Sequence, residues 1–121
     1  MDYNTAQPIV ALGYSDSYKV RNLHFQVKCN GKEDFLECVD IIGSYNSFDK
    51  ETIQHILEDI GKREDLLNIG YIIGREGSPV IYLEIWNEET RKAILEMLGD
   101  GDKYKIDEVG EEGWYIRLWF D

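Results

Sequence analysis

The chain has 121 residues, 43% of them hydrophobic, and a formal net charge of −11 from 24 acidic and 13 basic residues. That size and apolar fraction fit one folded domain, 1–121, and argue against disorder. The charge disfavours direct binding to nucleic acid or anionic membranes, which Lys and Arg mainly hold, and favours encounter with a basic protein surface.

No apolar run with a basic flank opens the chain, and no stretch approaches the ~20 apolar residues of a membrane helix, so a cytoplasmic location is expected. Cys29 and Cys38 are too few for a disulfide framework. They are expected to be reduced, partly buried thiols.

In chain order, residues 1–7 read as a loose terminus, and "PIVALGY" (8–14) as a strand broken by "SDS" (15–17). "VRNLHFQVKC" (20–29) alternates, with Leu23, Phe25 and Val27 on one side. Asn30 and Gly31 follow, a pair that tolerates positive φ and favours a type I′ hairpin. In that register Lys28 faces Glu33, His24 faces Glu37, Leu23 meets Cys38 and Phe25 meets Leu36, which predicts a strand over 33–42. The rival is a helix. Phe35, Cys38, Val39 and Ile42 fall at helical spacing, Glu33 and Asp34 suit a first turn, and Gly43 suits a C-terminal stop.

The next helix is capped by Ser47 or Asp49, carries Ile53, Ile56, Leu57 and Ile60 as its apolar stripe, and ends at Gly61. "REDLLN" (63–68) adds a short turn. "YIIGREGSPVIYLEIW" (71–86) predicts a hairpin around 75–78, with Pro79 kept from a ladder donor position. Asn87 caps a second helix, with Glu88 and Glu89 at its positive end; Ala93, Ile94, Met97 and Leu98 line one side and Gly99 stops it. "KYKIDEV" (103–109) reads as a strand, "GEEG" (110–113) as a turn and "WYIRLWF" (114–120) as the last strand. This order predicts an α+β fold: an antiparallel sheet, mostly meander or hairpin, with two helices packed on one face. The segment 33–109 reads β-α-β-β-α-β, the pattern of a ferredoxin-like core.

Alternation in the last strand turns Trp114, Ile116, Leu118 and Phe120 toward the core, and Tyr115, Arg117 and Trp119 away from it. In 79–86, Ile81, Leu83 and Ile85 point inward and Val80, Tyr82, Glu84 and Trp86 outward. If the two strands are neighbours, Tyr82, Glu84, Trp86, Tyr115, Arg117 and Trp119 share one surface rich in the residue types that dominate interface hot spots. The competing readings are a second core layer, with Arg117 stacked on Trp119 or paired with Glu84, and a homodimer through this face. Asp107, Glu108, Glu111 and Glu112, with Asp100 and Asp102 beside them, form a second candidate surface able to plug a cationic cleft. Glu58, Asp59, Glu64 and Asp65 form a further acidic cluster.

No catalytic, metal or cofactor motif is present. "GDGD" (99–102) lacks the later ligands of a calcium loop. Cys29, Cys38, His24 and His55 do not have zinc spacing. There is no phosphate-binding loop and no nucleophile elbow, and His55 with Asp59 is an ordinary i,i+4 helical pair. The sequence therefore predicts a binding protein without a cofactor rather than an enzyme. It would neutralise a basic partner, a bacterial toxin or a nucleic-acid-handling enzyme, in the manner of an immunity protein or a phage-encoded inhibitor. The alternatives are a small-ligand-binding protein or enzyme with a pocket on the sheet, and a subunit of an obligate oligomer.

Overall fold

A computed structural model describes residues 6–17, 19, 21–99 and 101–121, with Gly101 and Asp102 described by their backbone alone. Most of the expected loose terminus, the carboxylate of Asp100 and that of Asp102 lie outside the described residues.

Five strands form one sheet: β1 (His24–Lys28), β2 (Gly70–Glu76), β3 (Ser78–Glu84), β4 (Glu108–Glu112) and β5 (Tyr115–Trp119). Their order is β1-β2-β3-β5-β4, and every neighbouring pair is antiparallel. The helices are α1 (Gln7–Gly13), α2 (Gly31–Ile42), α3 (Lys50–Gly61), α4 (Glu88–Leu98) and the short α5 (Gly101–Tyr104), with a 3-10 turn at Leu66–Asn68. The class is α+β. In β3-α4-β4, β5 is inserted between the two strands, a split β-α-β unit. The first half differs, since β1 and β2 are joined through α2 and α3 yet lie side by side. The two halves therefore do not interleave as in a ferredoxin-like core.

Residues 33–42 are helical, and the predicted hairpin at Asn30 and Gly31 is absent. Gly31 enters the helix with φ +86, a conformation that favours glycine. The Asp34 carboxylate accepts from the Asn30 amide at 2.7 Å. The helix gathers Phe35, Cys38 and Val39 into the core. A strand would have sent Phe35 and Val39 to the face opposite Cys38, forfeiting about 1.5–3 kcal/mol for each large side chain left out. β1 is thereby free to pair with β2, where His24 opposes Glu76 and Lys28 opposes Ile72.

"PIVALGY" is also helical rather than extended. Pro8 sits in the first turn, where its missing N–H breaks no helical bond. Gly13 lies so close to Phe25 that a Cβ there would come within 2.1 Å of the ring. Nearby, the Tyr14 hydroxyl donates to the Gly74 carbonyl at 2.8 Å and Arg75 Nη1 to the Gly13 carbonyl at 3.2 Å. These contacts fasten α1 to the first two strands.

The middle of the chain follows its sequence signals. Asp49 accepts from the Thr52 amide at 2.7 Å and Asn87 from the Thr90 amide at 2.9 Å, capping α3 and α4. Gly77, at φ +75, turns β2 into β3. Pro79 lies at the end of the ladder with β5, where its carbonyl accepts from the Phe120 amide at 3.0 Å. The last hairpin is displaced from its predicted place. Residues 101–104 are helical, Lys105 is left-handed at φ 56, and the strand starts at Glu108. "GEEG" is therefore mostly strand. The turn falls on Gly113 and Trp114, with Gly113 at φ 59 as the first position of a II′ turn requires.

The core takes alternate residues of the central strands, Tyr71, Ile73, Ile81, Leu83, Ile116 and Leu118, together with Val10, Phe35, Ile53, Ile56, Ile60, Ile94 and Leu98 from the helices. Phe35 stacks on Tyr71 at 4.8 Å between centroids, and Phe48 meets Phe120 edge-on at 5.3 Å. The other strand residues form a second face of the sheet.

Candidate functional site

β3 and β5 are neighbours, so the condition for a shared outer surface is met. Val80 opposes Trp119, Tyr82 opposes Arg117 and Glu84 opposes Tyr115. Gln26, Lys28 and Ile72 extend the same face on one side, and Glu108, Gly110 and Glu112 on the other. Tyr115, Arg117 and Trp119 are half-buried, while Tyr82 and Glu84 are 7% and 9% exposed.

The middle of this face is occupied by its own ion pairs. Arg117 donates through Nη2 and Nε to the two carboxylate oxygens of Glu76, at 3.0 and 3.2 Å, and through Nη1 to Glu108 at 2.9 Å. It pairs with neither Glu84 nor, by stacking, Trp119, as the sequence suggested. The Tyr82 hydroxyl donates to Glu76 at 2.5 Å, and Trp119 Nε1 to the Glu76 carbonyl at 3.1 Å. The Arg117 hydrogen bonds, followed by that of Tyr82, hold the Glu76 carboxyl below its ordinary value. Burial and the same carboxylate push the Tyr82 phenol up to about 12. Glu76 is thus the hub of the face, and it ends β2 rather than lying in the turn expected around 75–78.

At the end of the face lies a different arrangement. Trp86 is 60% exposed and Trp114 is 50% exposed, so Trp114 does not belong to the core. It stands in the turn before β5, and its ring lies 5.4 Å from that of Trp86 at an angle of 34°. Trp86 Nε1 donates to Glu84 at 2.9 Å, and the proximity of the same carboxylate pushes the Tyr115 phenol up. Behind the pair, the Arg91 guanidinium lies 5.2 Å from the centre of the Trp114 ring. It donates to the Ile85 carbonyl at 2.9 Å and to Glu111 at 2.7 Å, and is 5% exposed. Arg91 precedes Ile94 by three and Leu98 by seven residues, a spacing that puts it on the buried stripe of α4 and signals its position.

The predicted acidic surface is divided. Asp107 accepts from the Asp121 amide at 2.8 Å, Glu108 pairs with Arg117, and Glu111 pairs with Arg91 on the opposite side of β4. Glu112 is exposed, and its carboxylate has no hydrogen bond or ion pair among the described residues. It lines a notch of about 230 Å³ with Gln26, Ile72, Tyr82 and Tyr115.

The other acidic cluster also dissolves. Asp65 caps the 3-10 turn by accepting from the Leu67 amide at 2.9 Å, Glu64 accepts from the Asp65 amide at 2.9 Å, and Glu58 is exposed. Asp59 is buried and accepts from the Tyr104 hydroxyl at 2.5 Å. Lys62 lies 3.2 Å away, Lys103 3.4 Å and His55 3.8 Å. The Tyr104 hydrogen bond, then those of Lys62 and Lys103, hold Asp59 well below the usual carboxylate range. His55 was legible as the i,i+4 partner. Tyr104 and Lys103 were not, because they come from a segment read as strand. An open groove of about 490 Å³ runs beside this cluster, lined by Arg63, Ala93, Glu96, Met97, Lys103 and Tyr104.

Cys29 and Cys38 are free and buried. Hydrogen bonding between the two thiols, with burial, pushes the Cys29 thiol far up, the opposite of what a nucleophilic cysteine requires. Among the described residues no group of three or more His, Cys, Asp or Glu side chains is placed to hold a metal, and no helix is long and apolar enough to cross a membrane. In comparisons with known proteins, the chain matches no family model, no curated protein and no solved structure.

Proposed function

We propose that this protein binds and neutralises a basic protein partner through the second face of its sheet, with Trp86 and Trp114 as the anchor. The observation that carries this reading is the exposed indole pair, 60% and 50% accessible, at the end of a face with two cations, Lys28 and Arg117, against four carboxylates, Glu76, Glu84, Glu108 and Glu112. Tryptophans packed on each other in solvent cost free energy that a partner's surface recovers, and tryptophan is among the commonest hot-spot residues. The surrounding carboxylates and the net charge of −11 raise the rate of encounter with a basic surface. In its concrete form the partner is a toxin or a nucleic-acid-handling enzyme whose cationic site is occluded, as in immunity or toxin–antitoxin pairs, and the protein acts in the cytoplasm. The proposal assigns it no nucleic acid, membrane or cofactor.

Affinity capture from the native host, with the captured protein then purified, tests this. A basic protein that binds wild type, binds more slowly as salt is raised, and dissociates faster from the Trp86→Ala and Trp114→Ala variants supports the reading. Sedimentation of the isolated protein supplies the opposing result: a homodimer abolished by Trp86→Ala would make this face a self-association surface and overturn it.

A second reading, a small-ligand site, has one observation in its favour. His55, Lys62, Lys103 and Tyr104 converge on Asp59 beside the open groove. The two lysines already neutralise Asp59, and the groove is not enclosed, which makes it the weaker candidate.

A further inference from the structure

The notch beside the Tyr82–Tyr115 pair has a definite chemistry. The two rings lie 6.3 Å apart at 90°. Ile72 and Gln26 complete the lining and Glu112 stands at the edge. At about 230 Å³ it falls below the size of a typical cofactor or drug-like pocket, ~300–1,000 Å³, yet holds the space of roughly eight waters at ~30 Å³ each. One side chain fits that scale.

The charges around it decide which kind. Lys28 stands 4.0 Å from Glu84 and Arg117 is engaged by Glu76 and Glu108, so each nearby cation has a carboxylate beside it. Glu112 has no ion pair among the described residues. An electron-rich ring face attracts a cation, and an adjacent carboxylate adds to that attraction. An apolar wall such as Ile72 suits the aliphatic stem of a long basic side chain.

We propose that this notch receives one lysine or arginine side chain of the basic partner, with Tyr82 and Tyr115 as aromatic walls, Ile72 against the stem and Glu112 as the counter-charge. This rests on the partner-binding reading above and assigns the chemistry of one of its contacts. Glu84, the cross-strand partner of Tyr115 and the acceptor of the Trp86 indole, links the notch to the tryptophan anchor.

The test is an NMR titration of the intact protein with N-acetyl-arginine methylamide, N-acetyl-lysine methylamide and, as uncharged control, N-acetyl-norleucine methylamide. Saturable shifts confined to Gln26, Ile72, Tyr82, Glu112 and Tyr115, with the cationic probes only, support the proposal, and the two cationic arms rank arginine against lysine. Glu112→Gln should weaken the interaction about three- to tenfold; Tyr115→Phe should keep most of it and Tyr115→Leu should lose it, because attraction of a cation to an aromatic wall needs the ring and not the hydroxyl. The proposal is overturned if the control binds as well, if Glu112→Gln changes nothing, or if shifts spread equally over exposed acids elsewhere such as Glu51, Glu88 and Glu89. The two readings fail separately. A captured basic partner indifferent to Glu112→Gln removes the notch and leaves the face. A notch saturated by the arginine probe, in a protein that captures no basic partner, removes the partner and leaves the notch.

Discussion

Arg117 and Trp86 sit on the same side of the sheet and are held in opposite ways. Arg117 has carboxylates on both sides, and the Tyr82 hydroxyl and Trp119 indole converge on its partner Glu76. Trp86 has one hydrogen bond, to Glu84, and otherwise faces solvent against Trp114. Polar groups that satisfy one another within a chain stabilise that chain and have little left for a visitor. The contrast shifts the candidate interface away from the centre of the face, toward its tryptophan end and the Glu112 notch. The Asp59 cluster repeats the pattern of Glu76: a carboxylate, a tyrosine hydroxyl at 2.5 Å and neighbouring cations.

Four experiments break or sharpen that contrast. The largest effect is expected from Arg91→Ala, which leaves the Ile85 carbonyl and the Glu111 carboxylate without their partner. A loss of about 3 kcal/mol in urea unfolding is expected, and Trp114 should become more mobile by fluorescence anisotropy. A cost near zero would mean that the indole pair is not positioned from behind. Arg117→Ala comes next, at about 2 kcal/mol, discounted because the guanidinium is partly solvated; the encounter rate with a basic partner should hardly change. If that variant instead lost the partner while keeping its stability, the centre of the face would be the interface after all.

The third test is acid titration of stability. Glu76 and Asp59 both ionise more easily in the folded chain than their ordinary values of 4.5 and 3.8. A depressed carboxylate contributes stability that is fully present above the unfolded value and is lost as pH falls through the folded one. Stability should therefore hold from neutral pH down to about those ordinary values and then decline, with a shallower acid limb in Asp59→Asn. The smallest effect on folding belongs to Trp86→Ala, expected within about 1 kcal/mol of wild type. The same change should weaken partner binding at least about tenfold, as hot-spot truncations do.

Where local signals agreed with one another, the chain could be read directly. Asp49 and Asn87 cap the helices they were assigned, Gly77 makes the predicted hairpin, and alternation in β5 separates Ile116 and Leu118 from Tyr115 and Arg117. Where two periods competed, tertiary burial chose. Residues 33–42 satisfied a hairpin register and a helical stripe at once, and only the core shows that Phe35, Cys38 and Val39 belong together. β4 carries few strand-forming residues and is extended because β5 offers it an edge. The outward identity of Tyr82 and Arg117 was legible; their satisfaction by Glu76 was not, since it depends on the pairing of β2 with β3 and of β3 with β5. Trp114 departs from the alternation because it is the second residue of the Gly113–Trp114 turn, where the backbone direction reverses before β5 begins.

β4 forms one border of the sheet, and three of its five residues are glutamates. Glu108 and Glu111 are paired with Arg117 and Arg91, so two molecules meeting along that border would oppose chiefly the Glu112 carboxylate of each before any main-chain bond could form. Self-extension of the sheet on that side is thereby discouraged, most strongly at low ionic strength, while an arriving segment of opposite charge meets no such barrier.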